Sequence, residues 1–175
     1  MLANYLASTE AAGLVEGKAV IELGCGAGLC GVVAGRLRPK SLLLTDASEA
    51  VLARASRNVA RNLGRTNSLE LRQLFWGSVL DDDLVSAFDV VLASDVLYQS
   101  SAWRPFAQTA AALLRATSGI LLLAEAGHEY TPAESVASGF RTVAEGCGLV
   151  FESESEYVDQ LYGRMILLRA GRGSA

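Results

Sequence analysis

A glycine-rich segment follows the first apolar run of the sequence and leads directly into a helical pattern. It reads Glu-Leu-Gly-Cys-Gly-Ala-Gly and covers residues 22–28. Glycines let the chain turn sharply and let backbone N–H groups approach a ligand at a helix N-terminus, where negative charge is favoured. Gly26, Gly28 and Gly31 also satisfy the G-x-G-x-x-G pattern of dinucleotide-binding loops. The segment therefore predicts a cofactor site, but alone it is compatible with two classes of cofactor.

Two carboxylates near this segment bear on the choice of cofactor. Glu22 lies two residues before Gly24, where a carboxylate attracts the cationic, amino-bearing methionine end of S-adenosylmethionine and repels a pyrophosphate. Asp46 ends the second apolar run, where a carboxylate accepts hydrogen bonds from the ribose hydroxyls of either cofactor. These residues favour S-adenosylmethionine, while an NAD-type site and a plain strand-to-helix turn stay open as alternatives.

A second candidate group closes the fourth apolar run, which ends in Ser-Asp-Val-Leu-Tyr at residues 94–98. In a doubly wound sheet the fourth strand neighbours the first, so Asp95 and Tyr98 should face the cofactor crevice. A carboxylate and a tyrosine can orient an amine for methyl transfer and favour loss of its proton, so we expect these two residues to be catalytic. The alternative is structural, with Asp95 capping the next helix and Tyr98 packing in the core.

Seven short apolar runs alternate with helical patterns and predict the elements that position these residues. The runs cover residues 19–23, 41–45, 69–74, 89–93, 120–124, 149–153 and 164–169. Helical patterns cover residues 28–37, 48–63 and 101–115. A capping box with Thr131, Pro132 and Glu134 starts a further helix that runs to Glu145.

The character of these runs indicates how the strands pair. Continuous apolar runs such as residues 120–123 are typical of parallel strands covered by helices on both faces. Only residues 154–163 join the last two runs, which is too short for a crossover helix. We therefore predict an α/β fold, with a doubly wound, Rossmann-like seven-strand sheet that is mostly parallel and ends in an antiparallel hairpin.

The composition narrows the classes of partner. The 175-residue chain carries 19 acidic and 15 basic residues, and its net charge of -4 argues against nucleic acid. No apolar stretch approaches the roughly 20 residues of a membrane span and no signal-peptide pattern is present, so we expect no membrane partner and a cytoplasmic or nuclear location. The three cysteines lack metal-ligand spacing, so no metal site is predicted.

Four segments together resemble a known family. ELGCGAGLCG, LTDAS, LFWGS and SDVLY, at residues 22–31, 44–48, 74–78 and 94–98, look like the class I seven-strand methyltransferases. The last two segments are similar to those of the methyltransferase-like protein-lysine methyltransferases, and the resemblance covers residues 2–168. It implies S-adenosylmethionine as cofactor and a protein substrate that carries the target lysine.

The resemblance also implies individual contacts. It implies that Gly24, Cys25 and Gly26 contact the backbone of the cofactor and that Asp46 contacts its ribose. It further implies that Trp76 contacts the adenine and Ser94 the methionyl end. Asp95 and Tyr98 are then expected to line a lysine channel. Independently of the resemblance, an aromatic ring at the end of the third strand makes physical sense as an adenine platform, with core packing as the alternative for Trp76.

The chain departs from the family pattern in two places. Family members usually carry a Trp-bearing segment before the first helix that helps cover the cofactor, and this sequence begins too late to contain it. We therefore expect the single domain at residues 1–175 to be N-terminally truncated or its gene model to be short. After the fifth strand the family often has basic residues, whereas residues 125–130 read Glu-Ala-Gly-His-Glu-Tyr. The only histidine, His128, is interpreted as a solvated loop residue rather than a base.

The sequence thus predicts an S-adenosylmethionine-dependent N-methyltransferase acting on a lysine of a protein substrate. A small-molecule amine methyltransferase is one alternative, because the same fold and loop serve both. A cofactor-binding or interaction module without catalysis is another. An NAD-dependent oxidoreductase fits less well, because 175 residues leave no substrate domain.

Overall fold

The computed structural model describes residues 2–9, 11, 13–64, 68–126, 133–159 and 163–173. Helices and strands alternate along most of this part of the chain. The helices are α1 Leu2–Leu6, α2 Leu29–Arg36, α3 Glu49–Leu63, α4 Trp103–Leu113 and α5 Ala133–Glu145, with a 3₁₀ turn at Ser100–Ala102. The strands are β1 Ala19–Leu23, β2 Ser41–Asp46, β3 Leu69–Gln73, β4 Val90–Ser94, β5 Ile120–Ala126, β6 Leu149–Asp159 and β7 Gly163–Arg172.

All seven strands form one sheet in the order β3-β2-β1-β4-β5-β7-β6. The first five strands pair in parallel, whereas β7 pairs antiparallel with both β5 and β6. The predicted doubly wound, mostly parallel sheet with a terminal antiparallel hairpin is therefore confirmed. The chain builds outward from β1 in one direction and from β4 in the other, so the topological switch lies between these two strands. Ligands of such sheets bind at this switch, beyond the carboxyl ends of the strands.

The strands at the centre of the sheet are buried on both faces, as their continuous apolar runs predicted. Every residue of β1 is buried, and so are the first four residues of β4, from Val90 to Ala93. One face packs against α4 and α5 through Phe106 and Phe140, and the other face packs against α1, α2 and α3. This packing fixes the carboxyl ends of β1, β2 and β4 relative to one another.

The boundaries differ from the sequence prediction mainly at the two ends of the chain. Strands β6 and β7 are longer than predicted and pair up to Asp159 and Gly163, with a register shift between Phe151 and Ser153. The alternating Ser and Glu residues of β6 hid this extension, because they lack an apolar run. Helix α1 was not predicted because five residues are too short to show helical periodicity.

The predicted capping residues Thr131 and Pro132, like His128, lie outside the described residues, although α5 begins at Ala133 close to the predicted start. Among the described residues, no helix is long and apolar enough to cross a bilayer.

Candidate functional site

A crevice of about 640 Å³ opens at the switch point, beyond the carboxyl ends of β1, β2 and β4. It brings together residues that lie up to 83 positions apart in the sequence, from Glu22 to Pro105. Apart from Gly28, all the predicted site residues line it, namely Glu22, Gly24, Cys25, Gly26, Asp46, Trp76, Ser94, Asp95 and Tyr98. The crevice also has a wall that the sequence analysis did not assign, formed by Leu29, Phe75 and Pro105 among others.

Gly24 shows why the loop after β1 needs glycine. Its φ of 70° is left-handed, and a Cβ atom there would lie 3.0 Å from Val96 Cγ1 and 3.3 Å from the Trp76 ring. Both the backbone conformation and the close approach of the two crevice walls exclude a side chain at this position. The loop thus lets β1, β4 and the segment after β3 converge on one crevice.

Gly28 lies outside the crevice lining, although the sequence predicted that it contacts the cofactor. It caps the start of α2 with a φ of 83°, and its N–H donates to the Cys25 carbonyl at 2.8 Å. A Cβ atom there would lie 3.3 Å from the Ala55 Cβ, so Gly28 packs α2 closely against α3. Because Gly28 is outside the crevice lining, its predicted contact with the cofactor stays a prediction, and the structure gives it a packing role.

Asp46 ties the two loops of the crevice together. Its Oδ2 accepts a hydrogen bond from the Gly26 N–H at 3.2 Å, and its Oδ1 accepts one from the Ser48 N–H at 3.0 Å. On the outer side of the glycine loop, Asn58 Nδ2 donates to the Ala27 carbonyl at 2.9 Å. The carboxylate is therefore held in a fixed orientation at the end of β2, as a ribose-binding group requires.

Glu22 places a buried carboxyl group at the floor of the crevice. The residue is 2% exposed, and its Oε2 has no hydrogen-bond partner among the described residues. Burial raises the pKa of this carboxyl from 4.5 to about 8; the Gly31 N–H and the Cys30 thiol lower it, and Asp46 raises it further. A buried carboxyl oxygen without a partner fits a cationic group entering the crevice, because such a group would stabilise the charged form.

The charge of the remaining lining agrees with this assignment. Its carboxylates are Glu22, Asp46 and Asp95, and the described lining contains no lysine or arginine. The side chains of the lining therefore offer a pyrophosphate no basic partner, whereas the cationic methionine end of S-adenosylmethionine would meet acidic groups. Burial raises the pKa of both the Cys25 and the Cys30 thiol to about 12, so neither is a nucleophile at neutral pH.

Trp76 both packs in the core and lines the crevice. It is half-buried, and its ring meets the Phe106 ring edge to face, with 5.1 Å between centroids and 79° between planes. It also lines the crevice, and the Gly77 N–H beside it donates to Thr109 Oγ1 at 2.9 Å. One part of the indole therefore packs in the core and another is available as the predicted adenine platform.

Asp95 and Tyr98 lie on a turn that directs them into the crevice. Asp95 has a φ of 58°, and its N–H donates to the Ala124 carbonyl at 2.8 Å. Tyr98 is 67% exposed, so the alternative in which it packs in the core is wrong. Capping by Asp95 is also wrong, because Gln99 caps the 3₁₀ turn, Ala102 caps α4, and neither cap has a side-chain hydrogen bond.

Glu125 on β5 is a buried polar residue that the sequence analysis did not assign to the site. It is 1% exposed, and its Oε1 accepts hydrogen bonds from the Val96 N–H at 2.8 Å and the Leu97 N–H at 3.0 Å. The signal in the sequence was an acidic residue directly after the continuous apolar run of β5.

The comparisons with known proteins agree with this geometry. A family model described as lysine methyltransferase matches residues 1–132. Protein N-lysine methyltransferase METTL21A from Danio rerio is 34% identical over 110 residues, which are 62% of this chain and 50% of that protein. Calmodulin-lysine N-methyltransferase from Arabidopsis thaliana is 33% identical over 105 residues, which are 58% of this chain and 34% of that protein. The chain thus matches half of the first relative's length and a third of the second's.

A solved structure shares the fold at lower identity. Magnesium protoporphyrin IX methyltransferase from Synechocystis PCC 6803, solved with bound S-adenosylmethionine, has a TM-score of 0.73 and 18% identity, covering 98% of this chain and 76% of that one. At this identity the likeness concerns the fold alone. The family model, in contrast, matches well over half of the 175 residues, including every predicted site residue from Glu22 to Tyr98. On this ground the chain belongs to the lysine methyltransferase family.

Proposed function

We propose that this protein is an S-adenosylmethionine-dependent N-methyltransferase that modifies a lysine side chain of a protein substrate. The observation that carries the proposal is the crevice at the switch point and its three acidic residues. Glu22 is buried, Asp46 is oriented by two backbone N–H groups, and Asp95 is exposed. Two cationic ligands must meet in such an enzyme, namely the cofactor and the lysine. A crevice whose described lining contains acidic but no basic residues suits both of them.

The cofactor side of the crevice is formed by Glu22, Asp46 and Trp76. When bound, S-adenosylmethionine supplies a methyl group on a positively charged sulfur, which a nitrogen lone pair can attack in line. The Glu22 carboxyl lies buried where the cationic amino-acid end would be held, and Asp46 is oriented by two backbone N–H groups at the position expected for the ribose. Trp76 adds an aromatic surface to the crevice lining, and its ring packs against Phe106.

The acceptor side is formed by Asp95 and Tyr98. Lysine reaches the crevice as an ammonium, which has no lone pair until it loses a proton. The exposed Asp95 carboxylate attracts the ammonium to the entrance and then accepts its proton as a general base, and the Tyr98 hydroxyl can hold the neutral nitrogen with its lone pair toward the methyl group. Both side chains extend from one short turn, so their spacing is set by the backbone.

The proposal of a protein substrate draws on the family and on the shape of the entrance. Leu29, Phe75 and Tyr98 line the crevice and are 65%, 55% and 67% exposed, so apolar surface surrounds the entrance. Such a surface can pack against the aliphatic part of a lysine and its neighbours. The two relatives are named for methylation of lysine in proteins, one of them in calmodulin.

Labelling of a lysate tests the proposal. Purified protein is incubated with tritiated S-adenosylmethionine and lysate of its own organism, and labelled protein bands are counted. We expect Asp95→Asn to lower the label by about 100-fold or more, because general acid–base groups contribute on that scale. S-adenosylhomocysteine should still bind with an affinity within a few-fold of wild type by calorimetry.

Asp82→Asn is the matched control, because Asp82 is an exposed acidic residue outside the crevice. It should label the same band as the wild type at the same rate. Label confined to small molecules would favour the amine methyltransferase alternative. Cofactor binding without any label, unchanged by Asp95→Asn, would favour a non-catalytic module.

A further inference from the structure

The turn after β4 has a backbone conformation that needs external support. Asp95 is one of three non-glycine residues with a left-handed φ among the described residues, and it follows the last residue of β4. A side chain in this conformation strains the backbone, and the conformation persists only where the surrounding structure holds it. The turn is nevertheless the place from which Asp95 and Tyr98 reach the crevice. Something must therefore keep the chain in this conformation.

The ladder between β4 and β5 supports the turn only at its first residue. The Asp95 N–H donates to the Ala124 carbonyl at 2.8 Å, which is the last strand-to-strand bond before the chain leaves the sheet. The next two N–H groups, of Val96 and Leu97, belong to buried residues and have no strand partner. Unpaired buried N–H groups are costly, so they need an acceptor from elsewhere.

Glu125 supplies that acceptor from the neighbouring strand. A single oxygen, Oε1, accepts from both N–H groups, at 2.8 Å from Val96 and 3.0 Å from Leu97. On the far side of the turn, Trp103 Nε1 donates to the Leu97 carbonyl at 2.8 Å. The segment between Asp95 and Tyr98 is thus held from both sides, by one side chain of β5 and one of α4.

Glu125 is a buried acidic residue that lies behind the turn and does not line the crevice. Its Oε2 is buried and has no hydrogen-bond partner among the described residues, and Glu125 is not among the residues that line the crevice. Burial raises the pKa of this carboxyl to about 8, the Val96 and Leu97 N–H groups lower it, and the Asp95 carboxylate raises it further. Glu125 therefore acts on the crevice only through the turn that it holds.

We propose that Glu125 is a positioning residue, which fixes the left-handed turn at Asp95 and thereby aims the Asp95 and Tyr98 side chains at the methyl acceptor. The part of this role that concerns the acceptor rests on the proposed function. The part that concerns the turn is independent of the proposed function, because it follows from the hydrogen bonds to Glu125 alone. Glu125→Ala removes the acceptor oxygen, whereas Glu125→Gln keeps a carbonyl oxygen that can accept from both N–H groups.

Amide hydrogen exchange measured residue by residue by NMR tests the hold on the turn. In Glu125→Ala the Val96 and Leu97 amides should exchange at least about tenfold faster, as expected when the acceptor of a buried hydrogen bond is lost. In Glu125→Gln their protection should be largely restored. Wild-type exchange at both amides in Glu125→Ala would overturn the proposal. If Glu125→Ala does not fold, Glu125→Asp withdraws the carboxylate by one methylene and should show the same faster exchange at these two amides.

Kinetics with the labelled substrate test the consequence for the acceptor. For Glu125→Ala we expect kcat to fall by roughly 10- to 100-fold, the cost of a small misplacement of reacting groups, with S-adenosylhomocysteine affinity within a few-fold of wild type. Glu125→Gln should recover most of kcat. An unchanged kcat in Glu125→Ala would overturn the positioning role. If no protein is methylated by the wild type, the proposed function fails, while the exchange rates still decide whether Glu125 holds the turn.

Asp89→Ala provides the matched control. Asp89 Oδ2 accepts from the Ala19 N–H at 2.8 Å, so it makes the same type of bond at the opposite end of the same sheet. Removal of this acceptor should lower thermal stability without changing kcat or the exchange of Val96 and Leu97. An equal loss of kcat in Asp89→Ala would mean that Glu125 acts through general stability, and would overturn the proposal.

Discussion

Glu22 shows how burial of one residue prepares the crevice for a cation. Its carboxyl is protonated at neutral pH in the empty crevice, because burial raises its pKa to about 8. A cationic ligand favours the charged form, so binding should drive the proton off. The affinity for S-adenosylhomocysteine, whose amino group is cationic, should therefore strengthen as the pH rises toward about 8.

Calorimetry in buffers of different ionisation enthalpy measures this proton release. We expect the wild type to release close to one proton on binding S-adenosylhomocysteine at pH 7. Glu22→Gln removes the titrating group but keeps its shape, so release should disappear and the affinity should become nearly independent of pH. Equal proton release in the wild type and in Glu22→Gln would show that Glu22 does not face the bound cation.

At the scale of elements, α2 must lie close to the sheet for the glycine loop to keep its shape. Gly31 faces β2, and a Cβ atom there would lie 2.5 Å from Leu44 Cδ2 and 3.0 Å from Glu22 Oε2. Leu44 is fully buried and cannot move aside. We expect Gly31→Ala to destabilise the protein by about 1–3 kcal/mol, the usual cost of overpacking, and to weaken cofactor binding by moving α2 outward.

Gly35 in the same helix is the control for this prediction. Its Cβ would meet only the end of the half-exposed Leu63 side chain at close range, and that side chain can rotate away. Gly35→Ala should be neutral or stabilising by up to about 1 kcal/mol, because alanine loses less backbone entropy in a helix. Urea unfolding of both variants measures the difference, and equal midpoints would contradict the close packing of α2 on β2.

The sequence revealed the elements well where each had a strong local pattern. Strand β1 has the bounds that its apolar run predicted, and the site residues at the ends of β1, β2 and β4 could be located because parallel strands end at one edge. Gly28 illustrates what the pattern could not reveal, since a loop glycine can serve a ligand or a neighbouring helix. Its contact with Ala55 depends on tertiary packing, as does the bond from Glu125 to the turn after β4.

At the scale of the whole molecule, two buried carboxyls tie stability to pH. The pKa values of Glu22 and Glu125 rise from 4.5 in the unfolded chain to about 8 in the fold. Between pH 4.5 and about 8, both carboxyls are therefore protonated in the folded protein and ionised in the unfolded chain. Their contribution to stability is therefore complete below pH 4.5 and is lost as the pH rises through about 8.

The free energy of unfolding of the ligand-free protein should accordingly fall between pH 5 and 8, by up to about 1.4 kcal/mol per pH unit for each group. Urea denaturation at a series of pH values measures this slope. In the double variant with Glu22→Gln and Glu125→Gln the slope should be much flatter. The same slope in the wild type and the double variant would mean that these carboxyls are charged in the fold.

The most direct test of the proposed chemistry is the identity of the methylated atom. The protein band labelled by the wild type in the lysate is isolated, digested and sequenced by mass spectrometry, with the reaction of Asp95→Asn run in parallel. We predict one or more added methyl groups on the Nζ of a lysine in the wild-type reaction, and a level of this modification lower by about 100-fold or more in the variant. Methyl groups on another residue type, or on the same lysine at an equal level with Asp95→Asn, would contradict lysine methylation by this crevice.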